Sequence, residues 1–171
     1  MNKILITTLL LGSTLLADNS NVYVEMSPTW IKYEAKDVNY NFKPTGFKWT
    51  AGYEVKDFTL ASVAIEGSAM IGVENDTTST ASTMIDEIYS LHLKGSFPLT
   101  EGLSANIYAG GTRGKMLLTS NQVTANSNFE NSFSYGAGAE YWFKSDVSLH
   151  ADYMKYFKNI DAIEVGIGFR F

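Results

Sequence analysis

From Asn21 onward, apolar and polar residues alternate along the chain in long runs. A period of two residues is typical of β-strands whose two faces meet different surroundings. Eight such runs can be drawn, near Val22 to Tyr33, Gly46 to Val55, Phe58 to Gly72, Ile85 to Phe97, Leu103 to Gly114, Ser132 to Phe143, Val147 to Tyr156 and Asp161 to Phe171. The pattern predicts an all-β protein of eight strands.

The connections between these runs are alternately short and long. Tight turns are expected at "KD" (56–57), "PLTEG" (98–102) and "KSD" (144–146), and longer polar loops at 34–45, 73–84 and 115–131. The last connection, around "FKNI" (157–160), is short. Because alternate connections of an up-and-down antiparallel sheet lie at the same end, the short turns are expected at one end and the loops at the other.

One face of the predicted strands is aliphatic or small at mid-length and aromatic at both ends. The aliphatic and small positions are Val63, Ile65, Ala69, Ile107, Ala109, Ala137, Ala139, Ile163, Val165 and Ile167. The aromatic positions are Trp30, Phe47, Trp49, Tyr89, Phe133 and Tyr135 toward the loops, and Tyr53, Phe97, Tyr141, Phe143 and Phe171 by the short turns. Two aromatic girdles around an apolar band are typical of transmembrane barrels. Val63 is expected near mid-height of that band.

The opposite face is rich in serine and glycine, at Ser62, Ser68, Ser104, Asn106, Gly136, Gly138, Gly166 and Gly168. A face in contact with bulk water would be dense in Lys and Glu. The two faces together favour an eight-stranded antiparallel up-and-down transmembrane β-barrel over a soluble periplasmic β-domain.

Composition narrows the function classes. The chain has 171 residues and a formal net charge of -5, with no basic run, so nucleic acid is not an expected partner. It has no cysteine, which excludes disulfides and cysteine-based metal sites or nucleophiles. We expect no cofactor.

The N-terminus differs from the rest of the sequence. Lys3 is followed by an apolar stretch from Ile4 to Leu16 and by the small residue Ala17, a pattern typical of a secretory signal cleaved after residue 17. This stretch is shorter than the roughly 20 residues of a spanning helix. The sequence thus predicts a signal peptide at 1–17 and one barrel domain at 18–171.

The chain ends in "EVGIGFRF", residues 164–171. This segment resembles the C-terminal signal of bacterial outer-membrane barrels, with a polar residue (Glu164), a glycine two positions later (Gly166), and aromatics at Phe169 and Phe171. With the signal peptide, the eight strands and the short turns, the chain resembles the OmpA-type transmembrane domain over its mature length. The resemblance implies a monomer in the Gram-negative outer membrane, in contact with lipid and recognised by the barrel-assembly machinery. Because the sequence stops at Phe171, the periplasmic peptidoglycan-binding domain of full-length relatives is not expected.

The inward face is the expected place for site chemistry. Its ionisable residues by parity are Glu25, Lys48, Glu54, Glu66, His92, Lys94, Glu140, His150, Asp152, Glu164 and Arg170. An eight-stranded barrel is just wide enough to be filled by its own side chains, so these charges are expected to pair. The alternative is a small gated pore for ions or small solutes, with Lys48, Glu66, Asp152 and Glu164 as a constriction and with water beside the inward glycines and serines.

An enzyme is the third hypothesis. His150 and Asp152 lie two residues apart on one face, with His92 and Glu140 expected at similar depth. Small outer-membrane barrels that cleave lipid A use a His-x-Ser pair, which this chain lacks, and two histidines on different strands are a weak metal site. We therefore expect no catalytic or metal-binding residues. The sequence favours a structural or adhesive barrel that can contact a host or surface ligand through its loops.

Overall fold

The computed structural model describes residues 21–35, 40–58, 60–77, 81–120, 123–126, 129–143 and 146–171. The expected signal peptide, residues 1–17, lies outside this range. The described residues form eleven strands: β1 (Val22–Ala35), β2 (Tyr40–Phe42), β3 (Thr45–Phe58), β4 (Ala61–Glu74), β5 (Asp76–Thr77), β6 (Ala81–Thr100), β7 (Leu103–Ser120), β8 (Val123–Asn126), β9 (Glu130–Trp142), β10 (Val147–Phe157) and β11 (Ile160–Arg170). No described helix is long and apolar enough to cross a bilayer.

Eight of these strands close into an antiparallel barrel, which confirms the predicted fold. Their order around the barrel is β6, β4, β3, β1, β11, β10, β9, β7, and the pairing of β6 with β7 completes the ring. The first and last barrel strands pair from Tyr23 opposite Arg170 to Tyr33 opposite Ile160. Closure leaves no free edge along the wall, as a bilayer requires.

The strands reach further than the sequence pattern predicts at both ends. Lys56 and Asp57 pair with β4, so the turn expected at "KD" is wrong and the chain reverses between Phe58 and Ala61 instead. In "PLTEG" only Glu101 and Gly102 form the turn, because Gly102 adopts the required positive φ of 84°. The short connection at the "FKNI" end is confirmed at Lys158 and Asn159.

All three expected long loops contain additional strand structure, and in the first of them β2 pairs with the end of β1. The pairing of β7 with β9 ends at Gly114 opposite Glu130, and beyond this point β7 pairs with β8. The pairing of β6 with β4 ends at Glu87 opposite Ile71, and beyond this point β6 pairs with β5. The β6–β7 pairing continues to Ala81 opposite Ser120. We call this four-stranded extension, residues 76–77, 81–86, 115–120 and 123–126, the β-arm. Its threonines favour strands, and a partner on each side of the central hairpin satisfies the backbone.

The outer surface of the barrel is apolar. Leu91, Phe133 and Ile163 are 63%, 68% and 55% exposed, whereas Glu25, Lys94 and Glu140 are buried inside. A charged interior under an apolar exterior is the inverse of a water-soluble protein and suits a lipid environment. The aliphatic and aromatic positions assigned to lipid all point outward. Val63, however, lies two residues from the short-turn start of β4, so the mid-height expectation for it is wrong.

The interior is divided along the barrel axis. At the long-loop end a buried cluster, which we call the apolar cap, consists of Ile31, Met70, Ile85, Ile88, Tyr108, Met154, Tyr156, Phe157, Ile160 and Ala162. The charged residues lie below it, and a cavity of about 620 Å³ lies at the short-turn end. The inward face is therefore only partly polar. The sequence pattern predicts serine, glycine and charged residues on this face and does not predict the apolar cap.

Candidate functional site: the charged interior

Lys94 is the centre of the larger charge cluster. Its Nζ lies 3.2 Å from Glu25, 3.4 Å from Glu66 and 3.0 Å from Glu140, carboxylates supplied by three other strands. Tyr23 donates a hydrogen bond of 2.7 Å to Glu66, and its ring centroid lies 4.9 Å from the same Nζ. All five side chains are nearly inaccessible. One ammonium thus faces three carboxylates, so negative charge is in excess.

Lys48 forms the second cluster, nearer the apolar cap. It makes an ion pair with Glu164, and Tyr156 donates a hydrogen bond to the same carboxylate. Lys48 Nζ is also 3.5 Å from the Tyr156 hydroxyl. The side chains of Lys48 and Glu164 are only 9% and 0% exposed. This pair joins β3 to β11, the two neighbours of β1, on the inner face of the wall.

Asp152 and the two histidines are linked mainly to neutral partners. Asp152 accepts a hydrogen bond of 2.9 Å from Tyr108. His92 Nε2 lies 2.7 Å from Ser134 Oγ, which continues through Thr112 to Ser90 in a chain of hydroxyl groups. These contacts join residues of different strands, so sequence spacing could not predict them.

A serine, a histidine and an aspartate do meet inside the barrel. Ser27 Oγ lies 2.8 Å from His150 Nε2, and Asp152 Oδ2 lies 3.9 Å from the same nitrogen. A Ser-His-Asp relay needs the serine and the aspartate on opposite ring nitrogens. Here His150 Nδ1 has no hydrogen-bond partner in the described part of the chain. The arrangement is a buried polar contact without relay geometry, and no described group of three or more His, Cys, Asp or Glu is placed to hold a metal ion.

Arg170 lies at the short-turn mouth of the lumen. It pairs with Glu54 at 3.3 Å, and its guanidinium lies 4.3 Å from the ring centroid of Trp142. With these residues, the structure places every ionisable residue of the predicted inward set inside the barrel. Eight of the eleven form three ion-paired groups, around Lys94, Lys48 and Arg170, whereas His92, His150 and Asp152 have mainly neutral partners.

The inward glycines are spaces for neighbouring side chains. A Cβ on Gly138 would collide with Asp152, one on Gly136 with Met154, and one on Gly52 with the Tyr23 ring. Close approach of a bulky neighbour is a common reason for glycine within a strand. Side chains therefore occupy the space that the pore hypothesis assigns to water beside Gly136 and Gly138.

The residues of the C-terminal pattern lie on both faces of β11. Glu164 is fully buried in the lumen, and Gly166 packs against Ser27 and His150. Phe169 pairs with Val24 and Val147, while the Phe171 side chain is 38% exposed and its backbone N–H donates to Val22 at 3.0 Å. Recognition of this segment by the assembly machinery stays a prediction.

Sequence reasoning missed the apolar cap, partly because strict alternation breaks there. A β-bulge between Ile85 and Glu87 lets both Ile85 and Ile88 point inward, and another between Lys155 and Phe157 buries Phe157 beside Tyr156. The sequence could have predicted three members of the apolar cap, Ile31, Met70 and Met154. Each alternates with lipid-facing neighbours, which places its side chain on the inward face.

Comparison with known proteins places this geometry in a family. The sequence matches the outer membrane protein beta-barrel domain over residues 4–171. No curated protein matches it.

Three solved structures show the fold at low identity. The attachment invasion locus protein Ail of Yersinia pestis, in complex with the heparin analogue sucrose octasulfate, is 18% identical, with a TM-score of 0.62 over 88% of this chain and 97% of that one. Neisserial surface protein A is 16% identical, with a TM-score of 0.60 over 89% and 98%. The N-terminal barrel domain of Pseudomonas aeruginosa OprF is 18% identical, with a TM-score of 0.53 over 87% and 97%.

In outer-membrane barrels the short turns face the periplasm and the longer connections face outward, so the short-turn end is the periplasmic end and the long-loop end is extracellular. The closed antiparallel barrel, its apolar exterior and the match over residues 4–171 lead to one assignment. This chain belongs to the outer membrane protein β-barrel family and lies in the bacterial outer membrane.

Proposed function

We propose that this barrel is a rigid scaffold that presents its β-arm at the cell surface for adhesive contact with an external ligand. The observation that carries the proposal is the continuation of β6 and β7 beyond the barrel wall, with β5 and β8 added at their edges. Recognition in proteins is commonly carried by surface segments on a rigid support. The β-arm is the largest described part of the chain beyond the closed wall.

The closed interior supports this proposal over a pore. The apolar cap lies in the extracellular half of the lumen, and ion pairs lie below it. No observation in the described residues favours conduction. Steady single-channel conductance of the folded protein would revive the pore hypothesis.

The fold neighbours suggest attachment, but their ligand chemistry does not transfer directly. The heparin analogue is a polyanion, bound by the Yersinia pestis protein. In this chain three lysines near the extracellular end already have acidic partners: Lys32 with Glu34 at 2.8 Å, Lys155 with Asp161 at 2.6 Å, and Lys115 with Asp86 at 3.2 Å. With these three lysines engaged, the contact that we propose is through neutral polar groups of the β-arm, with little dependence on salt.

The test is to remove part of the β-arm without touching the barrel. Leu117 and Asn126 face each other in the β7–β8 register, so residues 118–125 can be replaced by Asn-Gly, which favours a two-residue hairpin turn. We expect adhesion of expressing cells to an epithelial monolayer to fall to the level of cells without the protein. The physical reason is that the outermost edge of the β-arm is gone while the wall keeps its pairing.

The matched control shortens another extracellular loop in the same way. Ala35 and Tyr40 are register partners, so residues 36–39 can also be replaced by Asn-Gly. Both variants should reach the surface in equal amounts and shift on heating in gels like the wild type. Undiminished adhesion of the variant shortened in the β-arm would contradict the proposal.

A further inference from the structure

The periplasmic end of the barrel contains an open cavity that the proposed surface role does not use. Its volume is about 620 Å³, within the range of small-molecule sites in proteins. Phe58 and Pro98, near the periplasmic turns, form part of its wall. Its polar and aromatic lining includes Tyr23, Glu54, Lys94, Glu140, Trp142 and Arg170.

The cations at this cavity have ion-pair partners, but one carboxylate oxygen has no hydrogen-bond donor. Lys94 has three carboxylate partners, and Arg170 is paired with Glu54. Glu140 lines the cavity and is only 2% exposed, yet its Oε1 accepts no hydrogen bond from any described residue. A buried carboxylate oxygen without a donor is costly, and it is a place where a ligand donor would be stabilised. The charged side chains of the lining are two acidic (Glu54, Glu140) and two basic (Lys94, Arg170), so the cavity itself offers balanced charge plus one acceptor without a donor, and the further carboxylates Glu25 and Glu66 lie behind Lys94.

The wall indicates what kind of cation fits. The described residues contain no group arranged to hold a metal ion, and the cavity is much larger than one ion. Phe58, Pro98 and the Trp142 ring supply apolar surface. An anion would meet cations that already have partners. A short carbon chain that carries an ammonium group matches both the apolar wall and the acceptor.

We propose that this cavity binds a small organic ammonium ion from the periplasm. The ammonium donates to Glu140 and is attracted by the carboxylates around Lys94, while the carbon chain packs against Trp142 and Phe58. This site is independent of the β-arm, which lies at the opposite end of the barrel.

The test compares three probes of the same size on the protein folded in lipid nanodiscs. Butylammonium, 1-butanol and butyrate share a carbon chain and differ in charge. We expect butylammonium alone to shift the amide resonances of Glu140 and Ser104 and the Trp142 indole N–H, with saturation. No saturable shift, or an equal shift with 1-butanol, would overturn the proposal.

Two variants locate the site. Glu140→Gln removes the charge with little change of shape and should weaken butylammonium binding at least tenfold. Ser62→Phe narrows the cavity from another strand and should also abolish the shifts, so the test does not depend on one variant that folds. Asp161→Asn, near the extracellular end, is the control and should bind like the wild type. Binding by Glu140→Gln as tight as by the wild type would refute the role of Glu140.

Discussion

The interior is held together by individual charged side chains whose partners come from distant parts of the sequence. Lys48 and Glu164 are 116 residues apart and meet only because β1, which pairs with both β3 and β11, brings these strands together. A buried ion pair adds little net stability compared with a well-packed apolar pair, because both charges lose their water. Removing one partner is much more costly, since the other charge is left buried alone. Tyr156 can compensate Glu164 only with one neutral hydrogen bond.

We predict that Lys48→Met strongly destabilises the barrel. Glu164, with 0% side-chain exposure, would lose the one cation that pairs with it among the described residues, so the free energy of unfolding should fall by roughly 3–5 kcal/mol. Urea titration of the protein in lipid vesicles measures this change. Adding Glu164→Gln to the same chain removes the unpaired charge and should restore much of the loss.

Lys32→Met is the matched control for the Lys48 prediction. Lys32 pairs with Glu34, but the two side chains are 48% and 49% exposed. An exposed pair contributes little to stability, so the urea transition should not move. Equal transitions for the Lys48 and Lys32 variants would mean that water reaches Lys48, contrary to the packed interior described above.

At the scale of the strands, the sequence predicted the wall better than the interior. Each strand has one apolar face in contact with lipid, so a period of two revealed eight strands, both faces and both girdles. It could not reveal the β-bulge near Ile85, because an extra residue reverses the parity of everything beyond it. Nor could it pair Ser27 with His150, since that contact depends on the register between strands. The β-arm was missed because polar strands and polar loops have similar compositions.

The depth of β6 in the bilayer gives the second prediction. Leu93 lies midway between Tyr89 and Phe97, which mark the two girdles on this strand, and Leu99 lies beyond Phe97. Both leucines are about equally exposed, at 57% and 60%. Leu93→Arg should lower the free energy of unfolding in vesicles by roughly 2–4 kcal/mol, and Leu99→Arg by about 0–1 kcal/mol. Equal losses would show that the girdles do not mark the membrane boundaries.

At the scale of the whole molecule, the two ends of the barrel differ. The extracellular half contains the apolar cap and continues into the β-arm, while the periplasmic half is charged and opens into a cavity. The barrel closes only when β11 pairs with β1, because these are the last and first barrel strands among the described residues. The C-terminal strand therefore determines whether the wall closes at all.

The last prediction concerns Phe171 at the end of this closing strand. Its backbone N–H donates to Val22 at 3.0 Å, and its ring is 38% exposed at the periplasmic rim, where aromatic side chains suit the headgroup boundary. Deletion removes one terminal hydrogen bond and part of one side chain's burial, which is worth at most about 1.5–3 kcal/mol. The purified deletion variant should therefore still refold in detergent and shift on heating in gels.

In cells, the resemblance of residues 164–171 to the assembly signal predicts far less folded protein in the outer membrane, with unassembled chain in the periplasm. Fractionation followed by heat-shift gels measures both pools, and Phe171→Tyr, which keeps a terminal aromatic ring, is the control. Wild-type amounts of the folded deletion variant in the outer membrane would refute the signal, but they would leave the closure by β1 and β11 intact.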